Sequence, residues 1–199
     1  MDKKTSLSKI EDYVMQLFQN EGTGHDYYHM KRVALMARGF AREENADTFV
    51  AEAAGWLHDI GDKKLFNDPF SAKEGMKVFL QQIGLDDEQI STIERAVADV
   101  SFSKGHKKPS TLEGQIVQDA DRLDALGAVG IARTFAYGGA NGQLIHSENT
   151  ANTSIQHFYD KLLLLKDLMI TAAAKKEAGI RHQFMKTYLA QFFKEWDEQ

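Results

Sequence analysis

The stretch Trp56-Leu57-His58-Asp59-Ile60-Gly61-Asp62 puts an imidazole and a carboxylate side by side at the end of an apolar run. Both are side chains that divalent transition metals accept as ligands. The dipeptide alone carries little weight. With 7 His and 16 Asp in 199 residues, chance gives roughly 0.6 such pairs, and His25-Asp26 is a second one. The setting says more. Ala51 to Leu57 reads as a buried helix, so His58 and Asp59 are expected to leave the interior where the helix stops at Gly61, a suitable C′ residue. A charged pair there needs a partner, and a cation is one way to supply it.

Two other places carry metal-ligand chemistry. His29 lies on the line of Val33, Met36 and Phe40, at steps of four, three and four, and so points toward the core. A hydrogen bond to a backbone carbonyl would account for a single core histidine. His25, one turn earlier, either supports such a site from behind or simply belongs to the helix N-terminus, where Asp26 suits the positive end of the helix dipole. Further on, Asp119, Asp121 and Asp124 fall within six residues. Asp121 and Asp124 share a face beside the stripe Leu112, Ile116, Ala120, Leu123 and Gly127, while Asp119 points about 160° from Asp121. A solvated acidic flank with Arg122 salt-bridged nearby would explain them. Three such carboxylates also repel one another, and a bound cation would relieve that.

The elements that must position these residues are helical, since helical periodicity appears almost everywhere and strand alternation almost nowhere. The spacing predicts helices from about Ser8 to Asn20, Asp26 to Glu43 and Thr48 to Ile60. Asp68-Pro69 opens a fourth, to Ile83, and Asp86 with Gln89 resembles a capping box opening a fifth, to Phe102. After a basic loop, Ser110 with Glu113 is a second capping box, opening a helix to about Ala128, and a short helix follows to Phe135. Residues 137–150 are polar and without period, and read as a surface loop. Thr153 with Gln156 opens a helix to Lys166 or beyond, and the last runs from about Glu177 to Trp196.

Composition sets the outer bounds. The length suits one domain with a sizeable core, and 43% hydrophobic with 27% charged residues is ordinary for a globular protein. No apolar run approaches membrane-spanning length, and the first residues lack the apolar core of a signal peptide, so a cytoplasmic protein with no membrane partner is expected. The absence of cysteine excludes disulfides and thiolate metal sites. The net charge of −5 argues against a nucleic-acid polymer as partner. Two prolines in the whole chain suit consecutive helices.

The ordered set His29, His58-Asp59 and Asp121 resembles the HD-domain superfamily of metal-dependent phosphohydrolases. Gly24-His25-Asp26-Tyr27-Tyr28-His29-Met30-Lys31-Arg32-Val33 looks like the family's first-histidine helix. Leu57-His58-Asp59-Ile60-Gly61-Asp62 looks like its central dyad, and Asp119-Ala120-Asp121-Arg122-Leu123-Asp124-Ala125-Leu126-Gly127 like its last-aspartate helix. The resemblance implies an all-α helical bundle over residues 1–199 as a single domain. A metal core spans about 22–135, and C-terminal helices over about 153–196 complete the bundle. It implies His29, His58, Asp59 and Asp121 as ligands of one divalent metal, Mn²⁺ or Mg²⁺ first, with Co²⁺, Fe²⁺ or Ni²⁺ acceptable. Asp121 is preferred among the three aspartates because its Ala-Asp-Arg-Leu context resembles that of the guanosine-tetraphosphate hydrolases. His25 and Asp124 then support the ligands from behind. Those same enzymes imply Asp62 as the catalytic base or water-orienting group, although a solvated carboxylate at a helix end is the plainer account.

Lys63, Lys104, Arg133, His157 and Lys161 are candidate phosphate contacts, each weighed against a plain solvated charge. His106 is the only histidine between the dyad and Asp121, so a second metal is not expected. No Walker loop is present. The resemblance is to small bacterial hydrolases that act on nucleoside triphosphates as pyrophosphohydrolases. A 5′-nucleotidase, a cyclic-nucleotide phosphodiesterase or a non-catalytic nucleotide-sensing module of the same fold stand as alternatives. The aromatic last helix, with Phe184, Tyr188, Phe192, Phe193 and Trp196, either closes the core or forms a homodimer face.

Overall fold

The computed structural model describes residues 2–19, 24–100 and 107–197. Their order is α1 (Lys3–Phe18), α2 (Tyr27–Glu43), α3 (Thr48–Leu57), α4 (Pro69–Gln82), α5 (Asp87–Val97), α6 (Leu112–Asp124), α7 (Gly127–Ala140), α8 (Ser154–Asp160), a 3₁₀ helix (Leu162–Leu168) and α9 (Ala172–Asp197). The fold is all-α, as the periodicity predicts. Among the described residues the only β-pairing is an isolated bridge between Leu144 and Thr153.

Helix starts are set by local chemistry. Asp2, Asp26, Asp47, Asp68 and Asp86 each sit at an N-cap with extended backbone, and each side chain accepts from an amide of the first turn. The Asp86/Gln89 capping box is complete in both directions. Asp2 explains why α1 begins five residues before Ser8. The start of α6 departs from expectation. Thr111, not Ser110, caps it through Oγ1, which accepts from the Gly114 amide, and Glu113 is turned instead to the Asp47 amide.

Helix ends depart further. α3 stops at Leu57, and the chain reaches Gly61 through three-residue turns, with Ile60 N–H on Leu57 O and Asp62 N–H on Asp59 O. α5 stops at Val97, and Phe102 lies outside the described residues. α7 continues through Ala140, into the segment expected to be loop. The helix expected after Thr153 breaks at Lys161, whose φ of −138° and ψ of −58° are not helical, into α8 and the 3₁₀ helix. α9 begins at Ala172.

Gly61 has φ +80°, and a Cβ there would meet Lys73 side-chain carbons at 2.8 Å and the Pro69 carbonyl oxygen at 2.9 Å. Gly61→Ala is therefore expected to lower the unfolding free energy by about 1–2 kcal/mol, measured by urea denaturation. An unchanged midpoint would show that the turn tolerates a side chain.

The chain forms two compact units, Met1–Asp121 and Arg122–Gln199, with the boundary inside α6. In the first unit α3 is the centre. It packs against α1, α2 and α5, and every residue from Phe49 to Leu57 is buried, including Glu52, which pairs with Arg38 of α2. Ile10 and Val14 of α1, Met30 and Val33 of α2, and Ile90 and Ile93 of α5 supply the core around it. In the second unit α7 packs on α9 and α8, and the 3₁₀ helix packs on α8 and α9. Arg181 of α9 donates to the Leu123 carbonyl and Arg122 donates to the Leu168 carbonyl. Within this unit Met185 and Leu189 of α9 are buried and Tyr188 stacks on Phe158, which is the core role weighed for the last helix. Trp196 and Phe184 stay half exposed.

Candidate metal centre

The centre is assembled from the start of α2, the end of α3 and the last turn of α6. Asp26 caps α2 by accepting from the His29 amide at 2.8 Å, which fixes the register that turns His29 inward. His29 is fully buried. His58 is the C-cap of α3, with helical φ and ψ, and its Nδ1 lies 2.8 Å from the Gly55 carbonyl oxygen. A carbonyl only accepts, so Nδ1 carries the proton and Nε2 presents a lone pair. That Nε2 is buried and has no hydrogen-bond partner among the described residues.

Carboxylates face it. Asp59 Oδ1 lies 3.4 Å from His58 Nε2, and Asp121 Oδ1 lies 3.9 Å from it. Asp121 Oδ1 is also 3.5 Å from His29 Nε2, and Asp59 Oδ2 is 3.8 Å from the same atom. Two triads of donor atoms result, His29-His58-Asp121 and His25-His29-Asp59, each within 4.8 Å. An imidazole lone pair aimed at ionised oxygens is repulsive and unpaired, which costs free energy in a buried place. A cation removes both problems. Octahedral ligands at about 2.1 Å from an ion stand about 3 Å apart when adjacent and about 4.2 Å apart when opposite, and the four spacings from the His29 and His58 Nε2 atoms to the Asp59 and Asp121 oxygens fall inside that range. The residues present therefore fit a divalent ion.

The charge state suits this too. Burial alone would raise the Asp59 carboxyl, but without an ion the positive charge of a protonated His58 ring, then His25 by hydrogen bond and charge, and the charge of a protonated His29 outweigh it. Together they hold the group well below the ordinary carboxylate range. Asp59 is thus ionised wherever the protein is folded at moderate pH.

Gly55 is a functional residue that the sequence reading passes over. Its carbonyl holds His58, and a Cβ at this position would lie 2.7 Å from the Ala34 Cα of α2. The missing side chain lets α2 and α3 approach closely enough to bring the two imidazole rings to 5.4 Å. A glycine inside the otherwise Ala-rich helix α3 was the available signal.

The other predicted residues are placed as follows. His25 Nδ1 lies 2.7 Å from Asp59 Oδ2. Asp62 is half-buried and its Oδ1 accepts from the Lys64 amide at 2.8 Å, while Lys63 is exposed. Lys104 lies outside the described residues. The remaining four belong to the second unit. There Asp124 is buried and accepts from Arg133, whose guanidinium also reaches the Asp124 carbonyl. His157 and Lys161 are a turn apart, at the end of α8, with the Lys161 amide on the His157 carbonyl. Partial burial first, and the Lys161 ammonium second, push the His157 imidazole below its usual pKa, although its outer edge is exposed.

Comparison with known proteins agrees with this geometry. The sequence pattern of the HD domain matches residues 26–126. The chain is 36% identical over 201 residues to the YpgQ protein of Bacillus subtilis (strain 168), covering 98% of this chain and 96% of YpgQ. This chain belongs to the HD domain family. The solved structure of Bacillus subtilis YpgQ in complex with ADP is similar with a TM-score of 0.86 at 35% identity, covering 98% of this chain and 97% of that one. An HD-superfamily hydrolase from Bacillus thuringiensis is similar with a TM-score of 0.85 at 38% identity over the full length of both chains. Family, relatives and donor set together define the class, an HD-fold hydrolase whose His and Asp groups can hold a divalent metal. Among the described residues no helix is long and apolar enough to cross a membrane.

Proposed function

We propose that this chain is a divalent-metal-dependent phosphohydrolase of nucleotides that releases pyrophosphate from nucleoside triphosphates. The observation that carries the reading is the convergence of the His58 Nε2 lone pair and the Asp59 and Asp121 oxygens within 3.4–3.9 Å. Support for a nucleotide comes from the YpgQ complex with ADP, a protein similar to this one over nearly its whole length.

His29, His58, Asp59 and Asp121 would hold the ion, and a donor set of nitrogen and oxygen without sulfur suits Mn²⁺ or Mg²⁺. Such an ion supplies Lewis acidity toward a phosphoryl oxygen and lowers the pKa of a water beside it. The chain supplies the rest. The Gly55 carbonyl keeps His58 in the tautomer that leaves Nε2 for the ion. His25 holds Asp59 through the hydrogen bond to its Oδ2. Asp62, held in direction by the Lys64 amide, takes up the proton of the attacking water. Lys63 offers an exposed ammonium to the charge that builds on the transferring group.

The test is a product assay. Protein stripped with chelator and resupplied with Mn²⁺ or Mg²⁺ is given a panel of nucleotides, and phosphate, pyrophosphate and triphosphate are resolved. Metal-dependent release of pyrophosphate from triphosphates is the expected result. Phosphate from monophosphates alone would make it a nucleotidase. Tight binding with no turnover would make it a sensing module.

A further inference from the structure

The two oxygens of Asp59 are used differently. Oδ1 faces His58, 3.4 Å from its Nε2. Oδ2 lies 2.7 Å from His25 Nδ1, at hydrogen-bond length, and farther, 3.8 Å, from His29 Nε2. At that spacing the ring nitrogen and the carboxylate oxygen share a hydrogen bond, in which His25 Nδ1–H donates and Oδ2 accepts. Two donors to one ion repel and stand near 3 Å or farther, whereas a charge-assisted N–H···O bond is about 2.7–2.9 Å long. The observed spacing is that of the bond.

The backbone places His25 for this. It precedes the Asp26 N-cap, and the cap's bond to the His29 amide ties the segment down at the start of α2. The His25 and His29 rings meet edge to face at 5.2 Å. His29 is fully buried, while the His25 side chain is 38% exposed and forms the outer wall of the centre.

We infer that His25 is a positioning residue of the metal centre: its Nδ1–H anchors Asp59 Oδ2 and so aims Oδ1 at the ion. The inference rests on the metal-binding reading above and adds a fifth residue whose task is orientation. A carboxylate free to rotate would present either oxygen, or both, and the affinity gained from a prearranged ligand would be lost. Loss of a hydrogen-bonding partner behind a metal ligand typically weakens metal affinity about 10–100-fold.

The experiment is a Mn²⁺ titration of the full chain, followed by electron paramagnetic resonance of the free ion, for wild type, His25→Leu and His25→Asn. The asparagine amide nitrogen stands close to where Nδ1 was and still donates. Expected is a 10–100-fold weaker dissociation constant for His25→Leu. His25→Asn is expected to stay within about threefold of wild type, and pulsed spectra should show two coupled imidazole nitrogens in all three proteins. Circular dichroism melts made without metal check that both variants fold, as the exposure of His25 predicts. Equal affinity of wild type and His25→Leu would overturn the inference and leave the metal centre standing. Equal weakness of both variants, with one imidazole coupling lost, would also overturn it and make His25 a ligand. A wild type that binds no Mn²⁺ would remove the centre itself, and His25's role with it.

Discussion

His58→Ala is expected to abolish metal-dependent turnover and to weaken Mn²⁺ binding by more than the 10–100-fold that loss of a supporting partner brings. The substitution removes the buried Nε2 and the anchor on the Gly55 carbonyl together. A net cost near 1 kcal/mol for one hydrogen bond leaves the protein folded, so the loss is one of the site. A thermal melt reads this without any substrate. At Mn²⁺ a hundred times the dissociation constant, wild type gains about 2.7 kcal/mol. For a domain of this size that is a rise of roughly 5–10 °C. His58→Ala should show no rise at the same concentration. An equal rise in the two proteins would place the ion elsewhere.

Gly55→Val carries the largest expected effect on stability. A Cβ at position 55 would stand 2.7 Å from the Ala34 Cα and 3.1 Å from the Ala34 nitrogen. These are backbone atoms of α2, so no side chain can swing aside. The helices must separate, and overpacking of this kind costs about 3 kcal/mol or more. Because His29 rides on α2 and His58 on α3, separation also draws the ligand atoms apart. Urea denaturation should show the lost stability, and Mn²⁺ titration of the remaining folded protein should show weakened binding. A variant as stable as wild type would mean that α2 and α3 have slack at this crossing.

The two substitutions differ in how visible their sites are in the sequence. The inward direction of His29 follows from its place on the Val33, Met36 and Phe40 line, because period alone fixes the face of a long helix. The Asp68-Pro69 and Asp86/Gln89 starts are also legible, since a cap is a local event. Gly55 is not, because its role depends on which residue of α2 lies opposite, and Ala34 is 21 positions away in the chain. The three aspartates of α6 are intermediate. Helical arithmetic puts Asp121 and Asp124 on one face and cannot choose between them. In the structure Asp121 Oδ1 stands 3.5 Å from His29 Nε2, while Asp124 is buried against Arg133. The resemblance to the HD superfamily, not the spacing, is what singles out Asp121. Helix ends fare worst, as at Leu57 and Lys161, where turns of tighter pitch or a single non-helical residue replace the helix without changing the apolar pattern.

The measurement that bears most directly on the account is pulsed electron paramagnetic resonance of Mn²⁺ added to the chelator-stripped full chain. The account predicts one tightly bound ion per chain, coupled to two imidazole nitrogens, with one of those couplings absent in His58→Ala. Failure to bind an ion stoichiometrically, or a bound ion with no imidazole coupling, would contradict it.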